Sequence, residues 1–190
     1  VEYAEDGSEM TTLDGMQFFP DSKVSRWRPG THMSYCNSGP PMAAYIIEKI
    51  TGQRIEDFIQ ERIFDPLNMN HATYFKDAYV DDHLSKGYLG EDNKLANYWH
   101  FIGRASGSIN STATEMAPYI QLYLNRGRLN DSLRLISEES LARMEGPQTT
   151  LAAKAGESYG YGLNIRCMEY RGVRVCGHNG GMEGYLTNMR

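Results

Sequence analysis

Two short runs in this 190-residue chain combine chemistry-bearing side chains with turn-forming glycines. Tyr35 and Asn37 flank Cys36 in the segment Pro29-Gly-Thr-His-Met-Ser-Tyr-Cys-Asn-Ser-Gly39, and His178 opens the run His178-Asn-Gly-Gly181. A phenol can carry a proton when neighbouring cations favour its ionised form. A carboxamide offers a donor and an acceptor, so Asn37 could orient a basic side chain and bind a carbonyl. An imidazole at His178 could bind a carboxylate or move protons near neutral pH. Glycines at 180 and 181 would let a ligand approach the backbone closely. These are parts of an acyl-transfer site, which needs an activated nucleophile, a proton carrier and donors for the developing oxyanion. Singly, each has a plainer use: a packed loop tyrosine, a solvated strand-end histidine, a glycine turn.

Other chemistries find less support. His32, His71, His83 and His100 share no i,i+4 ligand spacing, so no metal is assigned and no cofactor is expected. The three cysteines, Cys36, Cys167 and Cys176, form no Cys-x-x-Cys pair. Cys167 and Cys176 fall on a predicted hairpin and could face each other, but three free thiols are the expectation, with Cys36 near the site. The net charge is −5 and the cations are scattered. Arg26-Trp-Arg28 is too small a basic group for nucleic-acid binding. No apolar run is long enough to cross a bilayer as a helix.

The elements that must position these residues follow from periodicity and punctuation. Residues 1–30 read as mostly irregular. Pro40-Pro41 opens a helix, because proline is tolerated in a first turn. Met42, Ile46 and Ile50 line one side of it, with Ala43 and Ile47 beside them, and Gly52 ends it. A second helix runs from Ile55 to Phe64 and stops before Asp65-Pro66. Residues 70–105 read as loops with a short hairpin. Thr112-x-x-Glu115 has the spacing of a capping box for a helix over 114–125. Ser137 caps another over 138–144. Residues 161–168 and 173–178 read as strands joined near Tyr170-Arg-Gly172, Gly180-Gly181 breaks the pattern, and Tyr185 to Arg190 begins a further strand. No repeat or low-complexity segment is present.

The order of these landmarks resembles that of the penicillin-recognising serine hydrolases: class C β-lactamases, D-alanyl-D-alanine carboxypeptidases and related esterases. Tyr35-Cys-Asn37 is similar to their Tyr-x-Asn motif after a Pro-Gly turn. Ile47-Glu-Lys-Ile-Thr-Gly52, Phe64-Asp-Pro-Leu67 and Ala105-Ser-Gly-Ser-Ile-Asn-Ser-Thr112 take the places of their helix ends and helix entry. Gly177-His-Asn-Gly-Gly181 resembles their third motif, which begins with lysine in some members and histidine in others. The resemblance spans about Arg28 to Asn188. It implies an α+β fold with a central antiparallel sheet. This chain would be one partial domain over 1–190, mostly helix and loop over 1–150, with sheet strands over 160–190. It also implies that Tyr35 is the proton carrier, that Asn37 orients the basic lysine, that His178 stands at the cleft edge, and that the Gly180-Gly181 backbone completes the oxyanion hole. His178 in place of lysine shifts the expectation from lactamase toward peptidase or esterase.

The family's nucleophile lies in a Ser-x-x-Lys motif, and no serine in this chain is followed three residues later by lysine. Thr73-x-x-Lys76 is the near match, on the wrong side of Tyr35 and with the wrong nucleophile. Thirty-four residues before Tyr35 are too few for the family's first strands and nucleophile helix. The chain is therefore expected to be a truncated fragment, inactive alone, of an acyl-serine hydrolase. A non-catalytic ligand-binding homologue, or an inactive stable fragment, is the alternative. The expected partner is a small-molecule or peptide-like substrate rather than nucleic acid. Open sheet edges predict self-association or pairing with the rest of the fold. The resemblance implies a periplasmic, secreted or membrane-anchored bacterial location for the parent.

Overall fold

In the computed structural model, Tyr3–Ala4, residues 10–18 and residues 25–190 are described, and they form two compact units. Parts of the expected irregular stretch over 1–30 lie outside the described residues.

The first unit takes in residues 1–24, 36–119 and 183–185. Its long helix α2 (Gly39–Thr51) has proline in its first turn and ends at Gly52, whose φ of 72° is left-handed and whose N–H donates to the Glu48 carbonyl. Both ends follow the local sequence. The packed side does not. Pro41 and Ala44 are buried, whereas Met42 and Ile46 are exposed and Ile50 is 79% exposed. Periodicity marks which residues share a side, but only the neighbours decide which side is covered. The neighbour is α1 (Thr12–Phe18), a seven-residue helix too short for its pattern to stand out. Thr11 starts it, bonding the Asp14 carboxylate through its backbone N–H and its hydroxyl. Glu48 on α2 accepts from the Thr12 hydroxyl at 2.8 Å and from the Ile55 N–H at 2.9 Å, joining α1, α2 and the next helix.

That next helix, α3 (Ile55–Ile59), continues into a π-turn over Gln60–Phe64. Ile55, Phe64, Leu67, Met69, Ala72 and Tyr74 from this stretch are buried. Glu56 and Arg104 are also buried, each 6% exposed, and form an ion pair, with the guanidinium 5.0 Å from the Phe75 ring centroid. Burial pushes the Glu56 carboxyl up. The Arg104 hydrogen bond, a backbone bond and the charges of Arg104 and Arg54 outweigh it and hold Glu56 below the usual carboxylate range. Over 70–105 the chain is more regular than its composition suggests. Asp77 caps α4 (Ala78–His83) by accepting from the Val80 N–H at 2.8 Å. β2 (Tyr88–Leu89) and β3 (Lys94–Leu95) form a hairpin, and β4 (His100–Phe101) pairs with β1 (Tyr3–Ala4).

Helix α5 (Ala113–Leu124) has Thr112 as its cap, accepting from the Glu115 N–H at 3.1 Å. The reciprocal half of the box is diverted, because the Glu115 carboxylate accepts from the His71 N–H at 2.7 Å. The second unit takes in residues 25–35, 120–182 and 186–190. In it α6 (Glu138–Glu145) is capped by the Ser137 hydroxyl at 3.1 Å from the Ser140 N–H and buries Leu141 completely. The short α7 (Leu151–Lys154) is capped by Thr150. An antiparallel sheet follows in the order β5 (Gly160–Tyr161), β6 (Arg166–Tyr170), β7 (Val173–Met182), β8 (Tyr185–Met189). The segment read as one strand over 161–168 is two strands with a turn between them. Gly180-Gly181 does not break β7, which runs on to a turn at Glu183-Gly184. Two glycines in sequence can lie in extended backbone as readily as in a turn when a neighbouring strand pairs with them. The β6–β7 turn is Arg171-Gly172, both at positive φ, which suits the twist of a tight hairpin.

The cysteines correct a second expectation. Cys167 and Cys176 are directly opposite across β6 and β7 and are joined by a disulfide with Cα atoms 4.1 Å apart, and Cys36 is the free, exposed thiol. With these helices and antiparallel strands the fold class is α+β.

Two tests follow. Because Glu56 lies below its unfolded value, the pair stabilises the fold above about pH 4.3, and that contribution fades as pH falls through this value toward the folded one. Glu56→Gln should cost about 3 kcal/mol at pH 7, since it strands a buried guanidinium, and should flatten the acid limb of urea stability curves measured between pH 3 and 7. An unchanged acid limb would refute this. Thiol titration of the denatured, unreduced chain should find a single reactive group. Replacing Cys167 and Cys176 together by serine should lower stability by about 2–3 kcal/mol, from the short loop closed.

Candidate functional site

The second unit holds a cleft of about 340 Å³ against the sheet. Alternation along the strands builds its wall. The cross-strand pairs Arg166↔Gly177 and Met168↔Val175 share one face, and all four residues line the cleft. Cys167 and Cys176, at the intervening positions, carry the disulfide on the other side. Met33 and Tyr35 from the segment before α2, Tyr161 from β5, and Arg190 complete the apolar and cationic lining. Among the described residues, Arg166, Arg190 and His178 give the lining three basic side chains and no Asp or Glu, although the chain as a whole has a charge of −5.

Tyr35 and His178, proposed from sequence, stand together here. Their ring centroids are 5.8 Å apart at a tilt of 33°, and the Tyr35 ring meets the Tyr161 ring edge-on at 5.9 Å. Tyr35 is 57% exposed, so its hydroxyl is open to solvent or a ligand. His178 is half-buried, with Nε2 2.9 Å from the Tyr161 hydroxyl and Nδ1 2.6 Å from the Asn179 carbonyl oxygen. Gly180 and Gly181 follow on β7. A side chain at Gly180 would meet Thr187 Oγ1 at 2.8 Å, and one at Gly181 would meet the Leu186 side chain at 3.3 Å. Asn37 belongs to the first unit, as does Cys36. The Asn37 carbonyl oxygen accepts a hydrogen bond from the Ser106 hydroxyl, which ties this loop to the turn before α5.

Sequence reading missed Tyr161, Arg166 and Arg190. Each is ordinary in its local context, and only the strand register brings it to the cleft. The alternation of Gly160, Tyr161 and Gly162 was the available hint for Tyr161. Among the described residues, no group of three or more His, Cys, Asp or Glu could hold a metal ion.

Comparison with known proteins places the chain as a whole. Residues 16–190 match the Beta-lactamase family. A D-aminopeptidase of Brucella anthropi is 31% identical over 167 residues, covering 86% of this chain and 30% of that protein. Penicillin-binding protein 4 of Amycolatopsis lactamdurans is 26% identical over 169 residues, covering 85% of this chain and 44% of its own length. The chain thus spans less than half the length of either relative. The octameric penicillin-binding protein homologue from Pyrococcus abyssi superposes with a TM-score of 0.73 at 24% identity, over 94% of this chain and 40% of that one. The D-amino acid amidase from Ochrobactrum anthropi SV3, in complex with L-phenylalanine amide, gives 0.73 at 19% identity, over 98% and 53%. These two likenesses show the β-lactamase/transpeptidase-like fold. With the ordered motifs and the family match over most of its length, the chain belongs to the Beta-lactamase family.

Proposed function

We propose that the full-length protein is a serine hydrolase that cleaves an amide or ester through an acyl-serine intermediate, and that this chain supplies one wall of its cleft. The observation that carries this reading is the juxtaposition of Tyr35 with His178 in the cleft, two residues along β7 from the extended Gly180-Gly181 backbone. Tyr35 passes the proton from the attacking serine to the leaving group. Asn37 orients the lysine of the nucleophile motif and binds the substrate carbonyl. The Gly180-Gly181 backbone contributes an N–H to the oxyanion. His178 binds a substrate carboxylate or assists proton movement. The strands over 160–190 belong to a central sheet that the remainder of the protein completes, and open edges of that sheet pair with the rest of the fold or with a second copy.

The substrate class follows from similarity and chemistry together. The relatives include a D-aminopeptidase and the fold neighbours a D-amino acid amidase. Histidine in the third motif also favours peptidase-like or esterase-like chemistry over lactam hydrolysis. Small amides and short peptides are therefore the first substrates to try. A second reading, a ligand-binding homologue without catalysis, draws on the lack of Ser-x-x-Lys in this sequence.

Three measurements test these readings, and labelling of the full-length protein separates them. The isolated chain should show no turnover of nitrocefin or p-nitrophenyl esters, because even the oxyanion site lacks the nucleophile's own N–H. A burst from pure material would contradict this. The full-length protein should be labelled covalently by a fluorophosphonate. In it Tyr35→Phe should lower kcat about 10²-fold with little change in KM, the signature of a group acting in the transition state. A phenylalanine variant with full kcat would reduce Tyr35 to packing. A full-length protein that resists labelling would favour the ligand-binding reading.

A further inference from the structure

The two hydrogen bonds at His178 define more than its position. A carbonyl oxygen can only accept, so the 2.6 Å contact with the Asn179 carbonyl puts a proton on Nδ1 whether the ring is neutral or charged. In the neutral ring the lone pair is then on Nε2. The Tyr161 hydroxyl, 2.9 Å away, must be the donor to it. When the ring takes up a proton, Nε2–H becomes a donor. The phenol oxygen must then accept, and its own O–H must turn away from His178. The phenol proton is never lost in this exchange; only its direction changes.

The surroundings of His178 sharpen the consequence. Tyr35, from the segment before α2, and Tyr161, from β5, stand against its ring, and Arg166 of β6 and Arg190, which in this chain also carries the terminal carboxyl, line the same cleft. Among the described residues, no Asp or Glu side chain lines the cleft to hold the imidazolium. Tyr161 is therefore the group placed to answer a change of charge at His178, and its ring meets that of Tyr35 edge-on at 5.9 Å.

We propose that Tyr161 is a positioning residue of this site. It holds the His178 ring with Nε2 occupied, and by reversing its hydroxyl it converts the protonation state of His178 into a change of hydrogen-bond polarity at the cleft wall. The role in turnover rests on the hydrolase reading above. The hydrogen-bond pair itself does not.

The test uses nitrogen-15 spectra of histidine-labelled chain, followed from mildly acidic to alkaline pH. At alkaline pH, His178 should show a neutral ring protonated at Nδ1, with the Nε2 resonance displaced as for a hydrogen-bonded lone pair. Tyr161→Phe should move that resonance to the position of an unbonded ring nitrogen and leave Nδ1 in place. A ring protonated at Nε2, or an Nε2 resonance already at the unbonded position in the unsubstituted chain, would overturn the proposal without needing the variant to fold. In the full-length protein, Tyr161→Phe should lower kcat about tenfold, the equivalent of one hydrogen bond, and alter the pH profile of kcat more than KM. An unchanged profile would overturn the positioning role. If the full-length protein hydrolyses nothing, the hydrolase reading fails, while the spectra still decide whether Tyr161 holds His178.

Discussion

A slip of one residue in β6 against β7 would turn Arg166 and Met168 away from the cleft and carry Cys167 into it, leaving Cys176 on the opposite face and the disulfide unformed. The pairing of Cys167 with Cys176 is therefore the constraint on which the second unit's site depends. The Arg171-Gly172 turn sets that register locally, and the disulfide holds it from the opposite side. Once it is set, Arg166, Met168, Val175 and Gly177 form the wall, and His178, next along β7, also lines the cleft although strict alternation would turn it to the disulfide side. Chemistry in this unit is thus specified by strand pairing as much as by the identity of any reactive side chain.

The first unit relies on a different device. Its helices are short, and their apolar stripes are incomplete. Polar side chains do the fastening: the partly buried Glu48 joins α1, α2 and the start of α3, and the buried Glu56 meets Arg104 from 48 residues away. Buried charge is costly unless it is paired, so these contacts tolerate little rearrangement. The Arg104 turn also contains Ser106, whose hydroxyl holds the Asn37 carbonyl. The backbone of the Tyr-x-Asn segment is in this way anchored to the same framework that buries the ion pair.

Membership of the Beta-lactamase family gives these observations a chemical setting, and the cleft gives them a local character. Its lining is basic and partly aromatic, with two methionines, while the chain carries a net negative charge. The local basic groups favour ligands that bring negative charge or accept hydrogen bonds, against the field of the whole. The His178–Tyr161 contact adds a hydroxyl whose donor direction depends on its partner.

The sequence by itself determined what depends on neighbours within a few residues. Helix starts at Pro40-Pro41, Thr112 and Ser137, the stop at Gly52 and the turn at Arg171-Gly172 all express local backbone preferences, and the structure retains them. The motif order around Tyr35, Asn37 and His178 was also readable, because it is a property of the chain as a string. Short helices such as α1 and α4 were not, since seven or six residues give too few turns for a period to emerge. Only tertiary structure decided that Ala44 rather than Ile50 is covered, that Cys167 bonds Cys176, that β7 continues through two glycines, and that Tyr161, Arg166 and Arg190 join His178. In each case the outcome depends on which distant segment lies alongside, and strand register and helix packing are set by the sum of many weak contacts rather than by any local signal.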